Sequence, residues 1–282
     1  MPVLDPRYIA DWYYLVPRGG TEPRLLEKFI EKQEQGLQRK PLMQGDIGTH
    51  VMDVGGMKWN ANLTSPVVII EYSNLSDITT SIFDALIADF NVQRQPQFSV
   101  VPTYLLRSAN ISVNEQGVNC TLDYISDQKG IFTAVFGPTS FDFIGRVAKW
   151  YDTSFYTSEL AEALGQTGGY QVKDGNIDIK FDIKENYFQG TGQTPTFSIQ
   201  GYGLKGDITV VVEPTQFDLL EIQEQEFGDF RYDVTQTLLT VGTQTLDMGS
   251  ARLHGSVERV MGQDAPIHAK ISFESYVRYP DY

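Results

Sequence analysis

The stretch ANISVNEQGVNCTLDYISD, residues 109–127, constrains what this chain can fold into more than any other part of it. Ile111 and Val113 share one side of an extended segment. Val118, Cys120, Leu122 and Tyr124 resume the alternation after Glu115-Gln116-Gly117. Successive side chains of a strand point to opposite faces, so residues two apart share a face. The segment therefore predicts an antiparallel hairpin with one apolar and one polar face. An apolar sheet face must be covered by a second layer, which commits the chain to a packed β architecture.

The same period of two recurs along the sequence. A strand opens at Val51; Met57, Trp59, Ala61 and Leu63 alternate with Lys58, Asn60 and Asn62, and VVIIEY follows Pro66. FSVVPTYLLR, NIDIKFDIK, TFSIQGY, DITVVVEP and FRYDVTQTLLTV also read as strands. A closing hairpin carries Leu253, Gly255 and Val257 on one arm and Ile267, Ala269, Ile271 and Phe273 on the other. Helical spacing is rarer. Thr21 and Pro23 predict the start of a helix carrying Leu25, Leu26, Phe29 and Ile30. Ser76 is the expected cap of a second helix, with Ile78, Ile82, Leu86, Ile87 and Phe90 at helical spacing. Phe141, Ile144, Val147 and Ala148 suggest a third helix, Leu160, Ala161 and Leu164 a fourth, and Phe217 to Ile222 a short fifth.

These elements divide the chain into an aromatic N-terminal arm and helix (1–41), a β domain (42–136), a helical connector (137–169) and a second β domain (170–282). The arm either covers the core as a lead-in strand or reaches a neighbouring subunit. Both β halves read β-β-β-α-β-β-β and finish on a hairpin, a repeat in the order of elements rather than in residue identity.

Chemistry-bearing motifs are scarce. Gly201-Tyr202-Gly203-Leu204-Lys205-Gly206 matches G-x-G-x-x-G, but a dinucleotide site needs a helix after the glycines to hold the pyrophosphate. Here Ile208 to Val212 follow as a β-branched run, so the glycines read as a hairpin turn. His254 and His268 sit on opposite arms of the last hairpin and could be cross-strand neighbours, yet no third ligand for zinc is evident. Cys120 reads as a small core residue, and a lone cysteine fits a reducing cytoplasm. The N-terminus has no basic region before an apolar core, so it does not read as a secretory signal. The Asn-x-Ser/Thr sequons at Asn62, Asn74, Asn110 and Asn119 are read as fortuitous. Glu221, Glu224, Glu226, Asp229 and Asp233 form a charge run typical of a solvated face. No apolar run is long enough to span a bilayer. The net charge of −14 (22 basic against 36 acidic residues) disfavours gripping nucleic acid. No catalytic residue, metal site or cofactor is assigned.

Together SANISVNEQGVNCTLDYISD (108–127), MDVGGMKWNANLTSPVVII (52–70), TLDMGSARLHGSVERVMG (245–262) and the closing PIHAKISFESYVRY resemble the tube-forming family. This family comprises the tail tube proteins of contractile phages, related secretion tubes and the two-fold repeated tube domains of baseplate hubs. Asp53-Val54-Gly55 and Asp247-Met248-Gly249 are similarly placed before alternating strands. The chain departs from the commonest form, a single tube domain of about half this length.

The resemblance implies a mainly β fold with a few helices: two tandem β-sandwich or barrel domains with long hairpins. It also implies self-assembly into a ring or stacked tube, hexameric or a trimer mimicking six-fold order, and contact with tail sheath or baseplate proteins. DNA would pass through without specific binding, along a lumen that the acidic charge could line. The expected location is the virion, assembled in the host cytoplasm without membrane insertion. Ile111, Val113, Val118, Leu122, Ile267, Ile271 and Phe273 are the residues expected on the apolar faces of the barrel strands. Alternative readings are a carbohydrate- or receptor-binding β module using Trp12 or Trp59, a capsid or decoration protein, and a hydrolase with paired carboxylates.

Overall fold

The computed structural model describes residues 13–17, 24–26, 28–41, 50–73, 81–95, 104–128, 132–135, 143–158, 169–186, 196–212, 230–258 and 267–279. In chain order the elements are β1 (Tyr13–Pro17), β2 (Arg24–Leu26), β3 (Lys28–Pro41), β4 (His50–Pro66), β5 (Val68–Ser73) and helix α1 (Ile82–Gln93). Next come β6 (Leu105–Asn114), β7 (Gly117–Ser126), β8 (Phe132–Val135), β9 (Phe143–Val147), a 3-10 turn (Trp150–Asp152) and β10 (Thr153–Thr157). The chain continues through β11 (Tyr170–Asn186), β12 (Thr196–Val212), β13 (Phe230–Val241), β14 (Gln244–Glu258) and β15 (Ile267–Arg278). The protein is mainly β with little helix.

Ten strands form one antiparallel sheet in the order β3-β4-β7-β6-β11-β12-β15-β14-β13-β10. Because β10 also pairs with β11, the last six strands close into a barrel and the first four extend from it. One edge of β11 thus serves two neighbours: Tyr170 and Gln171 face β10, and Gly175 to Lys180 face β6. A register shift between Val172 and Asp174 separates the two segments. Gly175 sits just beyond it at a positive φ of 153°, where an added Cβ would lie 2.6 Å from the Asp207 carbonyl oxygen.

The sheet order contains a repeat. A long hairpin (β3/β4, then β11/β12) is followed in sequence by a second hairpin (β6/β7, then β14/β15). In both cases the last strand of the second hairpin packs beside the second strand of the first: β7 on β4, and β15 on β12. The two sets join where β6 meets β11, from Val113↔Gly175 to Ser108↔Lys180. A single cluster of buried residues runs through both sets, from Leu63 and Ile111 to Val210 and Phe273. This is the non-directional result expected when two apolar sheet faces are joined edge to edge.

Helix α1 lies on that apolar side. Ser81 caps it with a reciprocal pair: Asp84 N–H donates to Ser81 Oγ at 3.4 Å, and Ser81 N–H donates to Asp84 Oδ2 at 2.7 Å. Burial pushes the Asp84 carboxyl above its ordinary pKa, against the opposing pull of its bonds from Ser81. Ile82, Leu86 and Phe90 form its buried stripe, and the Phe90 ring meets Tyr202 edge-on at 5.3 Å.

Several sequence expectations need correction. The segment carrying Leu25, Leu26, Phe29 and Ile30 is strand, not helix. From Lys28 to Pro41 it is held by a ladder to β4, and those pairings override the helix-favouring Glu, Lys and Gln. Ile144 and Val147 likewise belong to β9, paired with β5, so the connector is strand at Phe143–Val147 and Thr153–Thr157, with only a 3-10 turn between them. The cap of α1 is Ser81 rather than Ser76. The glycines of Gly201 to Gly206 lie inside β12, not in a turn. The expected helices at 160–164 and 217–222, and Ser76 and Ile78, lie outside the described residues.

Three backbone hydrogen bonds tie the β4–β5 junction, the start of β7 and the end of β9 into a ring. Val67 N–H donates to Val118, Val118 N–H to Ala148, and Ala148 N–H to Val67, at 2.7, 2.9 and 2.8 Å. Beside it, the Arg146 guanidinium donates to both Asp152 oxygens at 2.5 and 2.6 Å, and Lys149 N–H donates to Oδ2 at 2.8 Å. The Arg146 bonds chiefly hold the Asp152 carboxyl below its ordinary range. A depressed folded-state pKa stabilises above the unfolded pKa and is lost as pH falls through the folded one. Arg146 is 45% exposed, so solvent screening limits the effect. Asp152→Asn is expected to lose about 1 kcal/mol or less near neutral pH. That deficit should close as the pH falls through the carboxylate range, measured by denaturant titration at each pH.

Candidate functional site

The ten-stranded sheet separates its side chains by chemistry. Ile111, Val113, Val118, Leu122, Ile271 and Phe273 are all buried on the core side. Across the ladders Ile111 faces Cys120 and Ile177, Val113 faces Val118, and Ile271 faces Ile208. Ile267 opens β15 opposite Val212, and its side chain is not described. Ile111, Val113, Val118, Leu122, Ile271 and Phe273 therefore pack within the protein's own interior.

The other face of the sheet is largely polar, with Ile30 and Tyr276 exposed among its polar side chains, and is bridged between strands. Asn62 Nδ2 and Ser108 Oγ donate to the two oxygens of Asp123, at 2.6 and 2.9 Å. At the junction of the two sets, Asn110 Nδ2 donates to Asn176 Oδ1 and Asp178 Oδ1 at 2.8 and 2.7 Å. Further on, Ser272 Oγ donates to Asp207 Oδ1 at 2.5 Å. Short polar side chains directly opposite one another are the unit by which such a face is held.

The register repeats along with the strand order. In the first set one row runs Asn62–Asp123–Ser108–Lys180 across β4, β7, β6 and β11. In the second the corresponding row runs Lys205–Glu274–Arg252–Asp233 across β12, β15, β14 and β13. β13 therefore occupies beside β14 the place that β11 occupies beside β6. No protein-family model matches the chain, and no curated protein matches it. The case for function accordingly rests on this geometry.

Two features of the surface bear on assembly. First, among the described strands β3 pairs only with β4, so no described strand covers the other edge of its 14 residues, whereas its counterpart β11 is covered by β6. Second, the polar face carries both signs of charge: Asp123, Asp178, Asp207 and Glu274 lie among Lys180, Lys205, Arg252 and Lys270. It is not uniformly acidic.

Other candidates are placed as follows. His254 lies opposite Ser272 and the buried His268 opposite Glu258, so the two imidazoles are not cross-strand partners. Among the described residues no group of three His, Cys, Asp or Glu could hold a metal ion, and no helix is long and apolar enough to cross a membrane. Cys120 is fully buried, and desolvation pushes its thiol far up, as for a small core residue. Trp59 and Trp150 pack partly against the core. Trp12, and Glu221 through Asp229 of the acidic run, lie outside the described residues; Asp233 pairs with Arg252.

Proposed function

We propose that this chain is a structural subunit that assembles edge to edge into a ring or stacked tube, as phage tail tube and baseplate hub subunits do. It would conduct DNA within a virion and carry no catalytic activity. The carrying observation is the duplicated strand order together with the open edge of β3. Within one chain, the second set is attached by laying β6 on the first strand of its long hairpin. The equivalent strand of the first set, β3, has no such partner among the described strands.

An uncovered edge presents a row of backbone N–H and C=O groups that would pair with any compatible strand. A strand of a neighbouring chain laid on β3 would cover it. That strand would not be β14, the counterpart of β6, because β13 already pairs with β14 within the chain. Three two-set chains would present six repeats. Glu31 and Lys32 along β3 would make that pairing selective, since charges on an edge suppress indiscriminate partners. A polar face of Asn, Ser and mixed charges would line the channel and let DNA pass without a continuous basic track to grip it. Sheath or baseplate proteins would contact the outside.

Sedimentation and negative-stain microscopy of the concentrated protein test this reading, with rings or tubes containing a central channel as the expected result. Neighbouring residues of an antiparallel strand direct their N–H groups to opposite sides. Of Gln33→Pro and Glu34→Pro, one therefore removes a bond to β4 and lowers stability. The other leaves the melting temperature nearly unchanged and is expected to abolish assembly. A strictly monomeric native protein, or assembly surviving both substitutions, would overturn the proposal.

A further inference from the structure

The polar face of the first set opens into a cavity of about 600 Å³. Lys32 of β3, Arg107 of β6 and Lys180 of β11 line it, and among the described residues none of the three side chains has a hydrogen bond or ion pair. Asp123 is the one carboxylate among the described lining residues, and both its oxygens already accept bonds from Asn62 and Ser108. Asn60 also lines the cavity. Its Oδ1 and Nδ2 are buried and neither has a partner. A buried amide left without partners is costly and uncommon.

The second set provides an internal comparison. A hollow of about 590 Å³ lies at the matching place, over β12, β15, β14 and β13. It holds two cations, Lys205 and Arg252, and two carboxylates, Asp233 and Glu274. Arg252 Nε donates to Asp233 Oδ1 at 2.8 Å. There the charges balance. Among the described lining residues of the first set, three cations face one occupied carboxylate, a surplus of two positive charges in a chain whose net charge is −14.

We propose that the first-set cavity is an oxyanion site that takes a dianionic phosphate group. A phosphate monoester or inorganic phosphate carries about −1.5 to −2 charges near pH 7, matching the surplus, whereas a carboxylate or an internal phosphodiester carries only one. Arg107 presents a planar fork suited to two phosphate oxygens, and the two lysines supply point charges. Asn60 Nδ2 donates to a further oxygen, and Oδ1 accepts from a P–OH group when the phosphate is singly protonated. The donor is either free phosphate or the terminal phosphate of a nucleic-acid strand, and the shared chemistry is the monoester dianion. The site belongs to a single chain, so it does not depend on the assembly proposal.

Calorimetric titration of the full chain with inorganic phosphate, a short 5′-phosphorylated oligonucleotide and the same oligonucleotide ending in a 5′ hydroxyl tests it. One saturable site per chain is expected, for inorganic phosphate if the source is free and for the phosphorylated end if it is a strand terminus. Arg107→Gln and Lys180→Gln should each weaken it roughly tenfold or more, as loss of a charge-assisted bond implies. Lys205→Gln, in the balanced hollow, should leave it unchanged, and unaltered melting curves would show that the variants fold. Asn60→Asp, which adds a negative charge, should abolish binding. Absence of saturable binding by both inorganic phosphate and the phosphorylated oligonucleotide, saturable binding of the 5′-hydroxyl oligonucleotide as tight as that of the phosphorylated one, equal binding of acetate, or indifference to Arg107→Gln and Lys180→Gln would each overturn the proposal.

Discussion

Replacing Phe273 by alanine is expected to lower the unfolding free energy by about 3–5 kcal/mol. The side chain is 1% exposed and stacks on Phe155 with ring centroids 5.3 Å apart. Removing it opens a cavity inside the closed part of the sheet, where the ladders on both sides limit collapse. The ring has a second role. It lies over Gly206, its cross-strand partner on β12, where an added Cβ would stand 2.2 Å from Cζ. An aromatic side chain covering a strand glycine restores the packing that the glycine lacks. Gly206→Ala alone should therefore cost about 1–3 kcal/mol by overpacking. In the Phe273→Ala background the clash is gone and the added methyl fills part of the hole, so the same substitution becomes neutral or stabilising. A double-mutant cycle by denaturant titration reads this directly. Additive effects at the two sites would refute the account.

That pair also shows why some of the fold was legible in the sequence and some was not. Strict alternation in residues 109–124 and 177–183 gave both strands and face correctly, because a period of two leaves only one register that buries every apolar residue. The glycines of β12 were misread because a glycine signals either a turn or a close approach, and only the partner strand tells which. Nothing local to Gly206 reveals Phe273 sixty-seven positions away. β3 failed for the opposite reason: KFIEKQEQ has helix-forming residues, and its strand state exists only through β4. The repeat in the structure is one of paired hairpins that begins at β3, within the segment read as arm and helix, rather than the β-β-β-α-β-β-β order. Its register, which equates Asp123 with Glu274 and Lys180 with Asp233, required the ladders.

The cavity residues were the least accessible. Arg107 enters the site through a register shift between Leu106 and Ser108. The shift also explains why Leu106 and Ala109, of opposite parity, are both buried. Consecutive apolar residues at Leu105 and Leu106 ahead of the alternation at Ala109 and Ile111 were the one local hint of a bulge. Lys32, Asn60 and Lys180 come from three strands far apart in sequence, and nothing in their spacing brings them together.

The same bulge sets the second large effect. Gln93, at the last turn of α1, is 3% exposed and clasps the backbone of Leu106: its Nε2 donates to the carbonyl at 2.9 Å, and the Leu106 N–H donates to its Oε1 at 2.5 Å. The Gln93 carbonyl in turn accepts from Tyr279 Oη at 3.0 Å, whose phenol burial pushes up to about 12, keeping the donor proton across the neutral range. One side chain thus fastens the helix to β6, and one carbonyl fastens it to the end of the last strand. Gln93→Leu preserves bulk but leaves a buried N–H and a buried C=O unpaired, for an expected loss of about 2–5 kcal/mol.

Gln93→Glu separates the two bonds. A carboxylate still accepts from Leu106 N–H but cannot donate to its carbonyl; a protonated carboxyl does both. Burial disfavours the charged form, so the folded-state pKa of the introduced glutamate lies above its unfolded value. Its stabilising contribution is then fully present below the unfolded pKa and is lost as pH rises through the folded one. The glutamate variant should approach the native protein in acid and fall away from it toward neutrality, while the leucine variant keeps a constant deficit. Denaturant titrations across that range decide the matter. Parallel curves for the two variants would mean that the clasp to Leu106, and not only the filling of space, has been assigned too large a share of what holds α1 in place.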